Sequence, residues 1–176
     1  MKMIYNVLNH LKTILIHKYW VAKYCFQLKL YWRGLTHDLS KFHPIEFFES
    51  VQYYTGKNSP INECKKNKGY SLAWQHHKGC NSHHYEYWID HLDTGGDPIK
   101  MPKDDLKELI CDWIGAGKTY MGSDFTFKKE ADYVWNRIKF AKIHKDTFNA
   151  INCIFVLLYQ SNMPFSNIVN IVLKDY

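Results

Sequence analysis

The chain has 176 residues, with 23 Lys+Arg against 17 Asp+Glu for a net charge of +6, 46% apolar residues and 16% aromatic ones. That length suits one domain with a sizeable core, and the composition excludes a disordered chain. The basic residues are scattered apart from "CKKNKGY" at 64–70, so nucleic acid is not expected as a partner; five cysteines, odd in number and without a CxxC pair, exclude a disulfide framework and point to a reducing, cytoplasmic compartment.

The first predicted element is a long helix over residues 3–32. Ile4, Leu8, Leu11, Leu15, Trp20, Val21, Tyr24 and Leu28 recur close to a 3.6-residue period, and Gly34 ends it. Polar residues interrupt every apolar run in "MKMIYNVLNHLKTILIH", which makes it a poor secretory signal. A short helix from about 44 to 54 follows, with Pro44 in its first turn. "TGKNSPINECKKNKG" (55–69) reads as an exposed loop. Residues 70–78 give one or two helical turns, "KGCN" breaks them, and Ser82 is placed to cap a helix from 83 to about 93. After the loop "DTGGDPIKMP" comes a helix over 103–117, with Asp104 and Asp105 in the first turn, where the helix dipole favours acids. Helices near 127–143, 146–160 and 165–174 complete a single all-α domain over 1–176. The longest strongly apolar run, "CIFVLLY" at 153–159, is far short of the ~20 residues that cross a bilayer, and no membrane partner is expected.

Seven of the ten histidines fall between 17 and 84: His17, His37, His43, His76, His77, His83 and His84. His17 lies on the stripe Ile14, His17, Val21, Leu28 and so faces inward. Asp112 follows Leu109 by three residues and precedes Ala116 by four, so it too turns to the apolar side of its helix. A carboxylate buried there without a partner costs several kcal/mol, and a bound cation removes that cost while accepting neutral imidazoles. His10, His91 and His144 read as ordinary structural histidines. Imidazole nitrogen with carboxylate oxygen is a donor set for zinc, iron or manganese.

The order His17, His37-Asp38, His76-His77, His83-His84, Asp112 resembles the HD-domain superfamily of metal-dependent phosphohydrolases. Its fuller two-metal members show H…HD…H…H…D on a helical scaffold. "HKYWVA" at 17–22 is similar to the superfamily's first helix. "GLTHDLSKF" at 34–42 is similar to its "LLHDIGK" segment, with Lys41 in the place of the lysine. "WQHHKGCNSHHYEYW" at 74–88 and "CDW" at 111–113 resemble a small domain-of-unknown-function branch from bacteria and phages. The likeness covers roughly residues 17–113, leaving about 127–174 as C-terminal helices. The spacing from His17 to His37 is shorter, and the two histidine pairs closer together, than in the superfamily's best-known members.

The resemblance implies one or two divalent or transition-metal ions, Fe, Mn or Zn with Mg as a further option. Asp38 would bridge them, with His17, His37 and Asp112 on one and His77 and His84 on the other. His83 is almost equally placed with His84, and His76 is the last choice. On a helix His37 and Asp38 would diverge by about 100° and reach the cluster from different sides. Asp38 and Lys41 are the candidate catalytic residues, with Lys41 offsetting phosphate charge or else lying free on the surface. Glu46 and Glu86 are spare acids nearby. Trp74, Tyr85, Tyr87 and Trp88 serve either to stack a base or to fill the core. The implied activity is hydrolysis of a phosphorylated small molecule such as a nucleotide, with an HD-fold diiron oxygenase or a non-enzymatic metal-binding module as alternatives.

Overall fold

The computed structural model describes residues 2–90 and 95–176, and the described residues form an all-α domain without strands. The helices are α1 (Lys2–Gln27), α2 (Tyr31–Thr36), α3 (Pro44–Gln52), α4 (Pro60–Lys68), α5 (Leu72–Cys80), α6 (Lys103–Met121), α7 (Phe127–Ile138), α8 (Lys145–Gln160) and α9 (Phe165–Val172). Short 3-10 turns occupy Leu39–Phe42, Tyr85–Trp88 and Gly122–Asp124.

Helix α6 is the axis of the molecule. Leu106, Leu109, Ile110, Ile114 and Trp113 are buried, packed on Val21, Tyr24 and Cys25 of α1 and on the helical layer of α7, α8 and α9. The α1–α6 approach is close because residue 115 is glycine. A Cβ there would stand 2.5 Å from Val21 Cγ2 and 3.2 Å from the Val21 backbone nitrogen.

The structure corrects several expectations. The helix expected over 3–32 is two: the chain turns at Lys29, which takes a left-handed φ of 62°, and restarts as α2. The buried face of α1 carries His10, Ile14, His17, Val21, Tyr24 and Cys25, while Ile4, Leu8 and Leu15 point outward, 54–66% exposed. Two apolar stripes on one helix merge into a single periodic pattern, and the sequence does not say which one is inside.

The loop expected over 55–69 contains α4. Pro60 occupies its first turn, Gly69 terminates it at φ 82°, and Cys64 is its buried anchor. Helix α5 runs on through Lys78, Gly79 and Cys80, and the break falls at Asn81. The helix expected over 83–93 is a 3-10 turn, and Ser82 caps nothing: its hydroxyl donates to Asp105 Oδ1 at 2.5 Å. The last residues of that span, His91 among them, lie outside the described ones. His10 is buried with its ring against Phe47 and Tyr54, and His144 accepts a hydrogen bond from the Asp146 backbone N–H at the start of α8.

Candidate metal centre

Four separate pieces of chain deliver the site. Helix α1 brings His17 and α6 brings Asp112. The turn after α2 brings His37 and Asp38, α5 brings His77, and the segment after it His83 and His84; all seven are buried. The turn works because Asp38 adopts φ 54°, ψ 31°, left-handed geometry that aspartate tolerates better than most residues. The consecutive side chains therefore converge, with His37 Nε2 3.2 Å from Asp38 Oδ2. The 100° divergence expected for a helical pair does not apply, since neither residue is in a helix.

Asp38 has a different set of neighbours at each oxygen. Oδ2 lies 3.5 Å from His17 Nε2 and 3.2 Å from His37 Nε2, and Asp112 Oδ1 is 3.1 Å from His17 Nε2 and 3.4 Å from His37 Nε2. Oδ1 lies 3.4 Å from His77 Nε2 and 3.5 Å from His83 Nε2. The His84 ring sits 4.3 Å from that of His83 and 4.8 Å from that of His77, centroid to centroid. Among the described residues, three groups of donor atoms thus lie within a metal's reach: His17, His37, Asp38 and Asp112; Asp38, His77, His83 and His84; and His37, His83 and Glu108. Every proposed ligand falls in at least one of them, and His83 and His84 both do. His76 falls in none, stacking on His43 at 4.2 Å and meeting Glu46 Oε1 at 2.6 Å.

Two acids hold the histidines in place. Glu108 Oε1 is 2.9 Å from His37 Nδ1, and Glu46 Oε2 is 2.7 Å from His77 Nδ1, so in both rings Nε2 faces the cluster. Arg33 in turn donates to Glu108 and Asp105 at 2.8 and 2.9 Å. Glu46, a spare acid by sequence, is one of the orienting pair. Glu86 stands apart, 3.9 Å from Arg137 Nη2. Glu108 escaped the sequence reading, though the spacing Asp105, Glu108, Asp112 puts three acids on one face of α6, a stripe that signals a polar cluster opposite. Of the aromatic residues, Tyr85 and Trp88 pack against the core, and Trp74 lies edge-on to His84 at 5.0 Å.

The electrostatics favour ionised carboxylates beside imidazoles. Burial opposes ionisation of Asp38, yet the charges of His37 and Lys41 and the nearby His77 and His17 rings bring it well below the usual carboxylate range. Asp112 is likewise pulled well below against its burial by His17 and His37. Burial would lower His37, but the Asp38 charge, the nearby Asp112 and the hydrogen bond to Glu108 raise it well above normal. Burial, with the charge of His37, lowers His83 to about 4, and burial with the charge of His83 drives His84 well below its usual value. His37 therefore draws positive charge while burial keeps His83 and His84 neutral, their ring nitrogens able to donate lone pairs.

The donor atoms fit a metal on a direct test. Both Asp38 oxygens, His83 Nε2 and both His84 ring nitrogens are buried and accept or make no hydrogen bond of proper geometry; Lys41 Nζ reaches Asp38 Oδ2 at 2.6 Å as an ion pair only. Buried polar atoms left so cost about 1–3 kcal/mol each unless something else satisfies them. These buried groups could hold a metal ion.

A protein-family model, described as a family of unknown function, DUF5662, matches residues 6–156. The chain belongs to DUF5662. The match takes in every donor of the centre, from His17 to Asp112, and both orienting acids, Glu46 and Glu108. No curated protein and no solved structure matches this DUF5662 chain.

Proposed function

We propose that the chain is a metal-dependent phosphohydrolase of the HD-domain kind, acting in the cytoplasm on a phosphorylated small molecule such as a nucleotide. The observation that carries this reading is Asp38: one buried carboxylate offers each of its oxygens to a different group of imidazoles, the arrangement a bridging ligand needs. His17, His37, Asp38 and Asp112 would hold one ion, and His77, His83, His84 and Asp38 the other. Bound there, a divalent metal lowers the pKa of water toward neutrality and polarises a phosphoryl oxygen. The chain's own contribution is positional. Glu108 and Glu46 fix which ring nitrogen faces inward. Lys41, its side chain 25% exposed, brings an ammonium to the rim of the cluster where a phosphate oxygen can meet it.

The test combines metal analysis with turnover. Purified protein should hold about one to two ions per chain, and Asp38→Ala should lose them. A panel of nucleotides and simple phosphoesters should show metal-dependent turnover. In Lys41→Met, metal content should hold while phosphate affinity and turnover fall about tenfold, the scale of one charge-assisted contact. A metal-loaded protein inactive on every phosphoester but consuming oxygen with an organic substrate would give the site to an oxygenase. A metal-loaded protein with neither activity, and with unchanged phosphate affinity in Lys41→Met, would make it a binding module.

A further inference from the structure

The face of α1 opposite His17 is largely exposed among the described residues. Ile4, Leu8, Leu15, Tyr19 and Phe26 are 41–66% exposed and recur at intervals of four and seven, one continuous stripe along the outer side of the helix. At 1.5 Å per residue the stripe is about 33 Å long. Phe26 meets Tyr31 at the start of α2, ring centroids 5.4 Å apart, and Trp32 beyond it is 75% exposed, so the apolar surface continues onto α2. Together these side chains expose on the order of 500 Å², the size at which a patch on a monomer marks an interaction.

The charge around this stripe has one sign. Residues 1–37 contain six basic residues and no acid, so they carry the whole net charge of +6, the other 17 basic residues balancing the 17 acids. Arg33 and Lys18 are engaged internally, but Lys2, Lys12, Lys23 and Lys29 are exposed. The first three acids after them all point elsewhere. Asp38 is in the cluster, Glu46 binds His76 and His77, and Glu49 accepts from Ser71 and from the backbone N–H groups of Leu72 and Ala73.

We propose that the outer face of α1, with the start of α2, lies on an anionic phospholipid surface, its aliphatic and aromatic side chains entering the headgroup boundary and Lys12 and Lys23 reaching the acidic headgroups. A helix with apolar residues on both faces needs a second apolar environment. Lysines set among leucines suit an interface, where the stems lie in the apolar layer and the ammonium groups reach outward, and exposed tyrosine and tryptophan suit the same depth. A second copy of the chain suits the face less well, because α1 against α1 would bring lysines from both copies together without an acid on either helix. Nucleic acid would use the lysines but leave the leucines in water, whereas its binding surfaces are predominantly polar. Among the described residues no helix is long and apolar enough to cross a bilayer; this one would lie along it. The proposal stands apart from the chemistry of the metal centre.

Flotation of the full chain with vesicles decides it. The protein should bind vesicles enriched in phosphatidylserine and not vesicles of phosphatidylcholine alone, and raising salt from ~0.1 to ~1 M should weaken binding tenfold or more. Lys12→Glu with Lys23→Glu, and separately Leu8→Asn with Leu15→Asn, should each lower vesicle binding at least tenfold with no loss of melting temperature, all four residues being exposed. Equal binding to both vesicle types, or to neither, overturns the proposal. So does a dimer in sedimentation that Leu8→Asn with Leu15→Asn converts to monomer while serine-lipid vesicles stay unbound. Salt-sensitive binding to single-stranded RNA that survives the leucine substitutions and displaces the vesicles overturns it in favour of nucleic acid.

Discussion

Asp38 concentrates the demands of the site in one residue. It accepts a left-handed backbone that costs about 1 kcal/mol, it is fully buried, and it stays ionised beside His37 and Lys41. The orienting acids share that task from behind. Glu108→Gln keeps the size of the side chain and one oxygen but weakens the hold on His37 Nδ1 and on Arg33. Metal affinity by competition titration should fall about 10–100-fold, with the helical signal intact. An unchanged affinity would show that His37 needs no support. His17, the HD pair, His77, His83, His84 and Asp112 could be picked out because histidines and inward acids are conspicuous against an apolar period. Glu46 was legible only as a nearby acid of undecided role and Glu108 was missed, because an acid hydrogen-bonded to an imidazole looks in sequence like an acid in water.

At the scale of elements, the centre is as wide as α1 and α6 allow. His17 lies one turn before Val21, Asp112 one turn before Gly115, and Val21 touches the space where a Cβ would go. Val21 is β-branched and cannot swing aside cheaply. Gly115→Ala gains helix propensity but forces the two helices apart, so a net loss of about 1–2 kcal/mol in urea unfolding is expected, with metal affinity reduced tenfold or more. Stability and affinity both equal to the parent would place the tolerance of the site elsewhere. Helices with caps and strong periods, α6 to α9, were legible from the sequence. Helix α4 was not, because "PINECKKNK" buries little beyond Cys64 and Pro60 and so shows no apolar stripe. The turn at Lys29 escaped notice because nothing in "QLKLYW" is a helix breaker; tertiary packing makes the bend.

At the scale of the molecule, one buried acid sets a pH dependence away from the cluster. Glu130 on α7 is 1% exposed, its Oε2 has no hydrogen-bond partner, and burial followed by the charge of Asp112 raises its pKa to about 8. The folded state therefore keeps a proton that the unfolded chain releases above about 4.5. Stability should decline as pH rises between those two values, by up to ~1.4 kcal/mol per pH unit, and level off beyond the upper one. Denaturant unfolding in chelator across that window measures the slope. Glu130→Gln should flatten it, and an equal slope in the variant would remove Glu130 as its source. The all-α class followed from the lack of alternating patterns, but the outward stripe of α1 did not, since periodicity reports that a face is apolar and not what covers it.

The donors of the centre are spread from residue 17 to residue 112, in four stretches, the last of which joins the others when α6 docks on α1. A chain emerging from the ribosome holds the HD pair and both histidine pairs well before the last carboxylate appears. Until then it displays a histidine-rich, incomplete chelate, open to whichever ion is most abundant and binds fastest. Closure comes with a contact 95 positions apart, between residues 17 and 112, among the slow ones to form. An ion enclosed there would thus be chosen partly by the order of synthesis and folding, and metal added to the finished protein would not have to be the metal acquired in the cell.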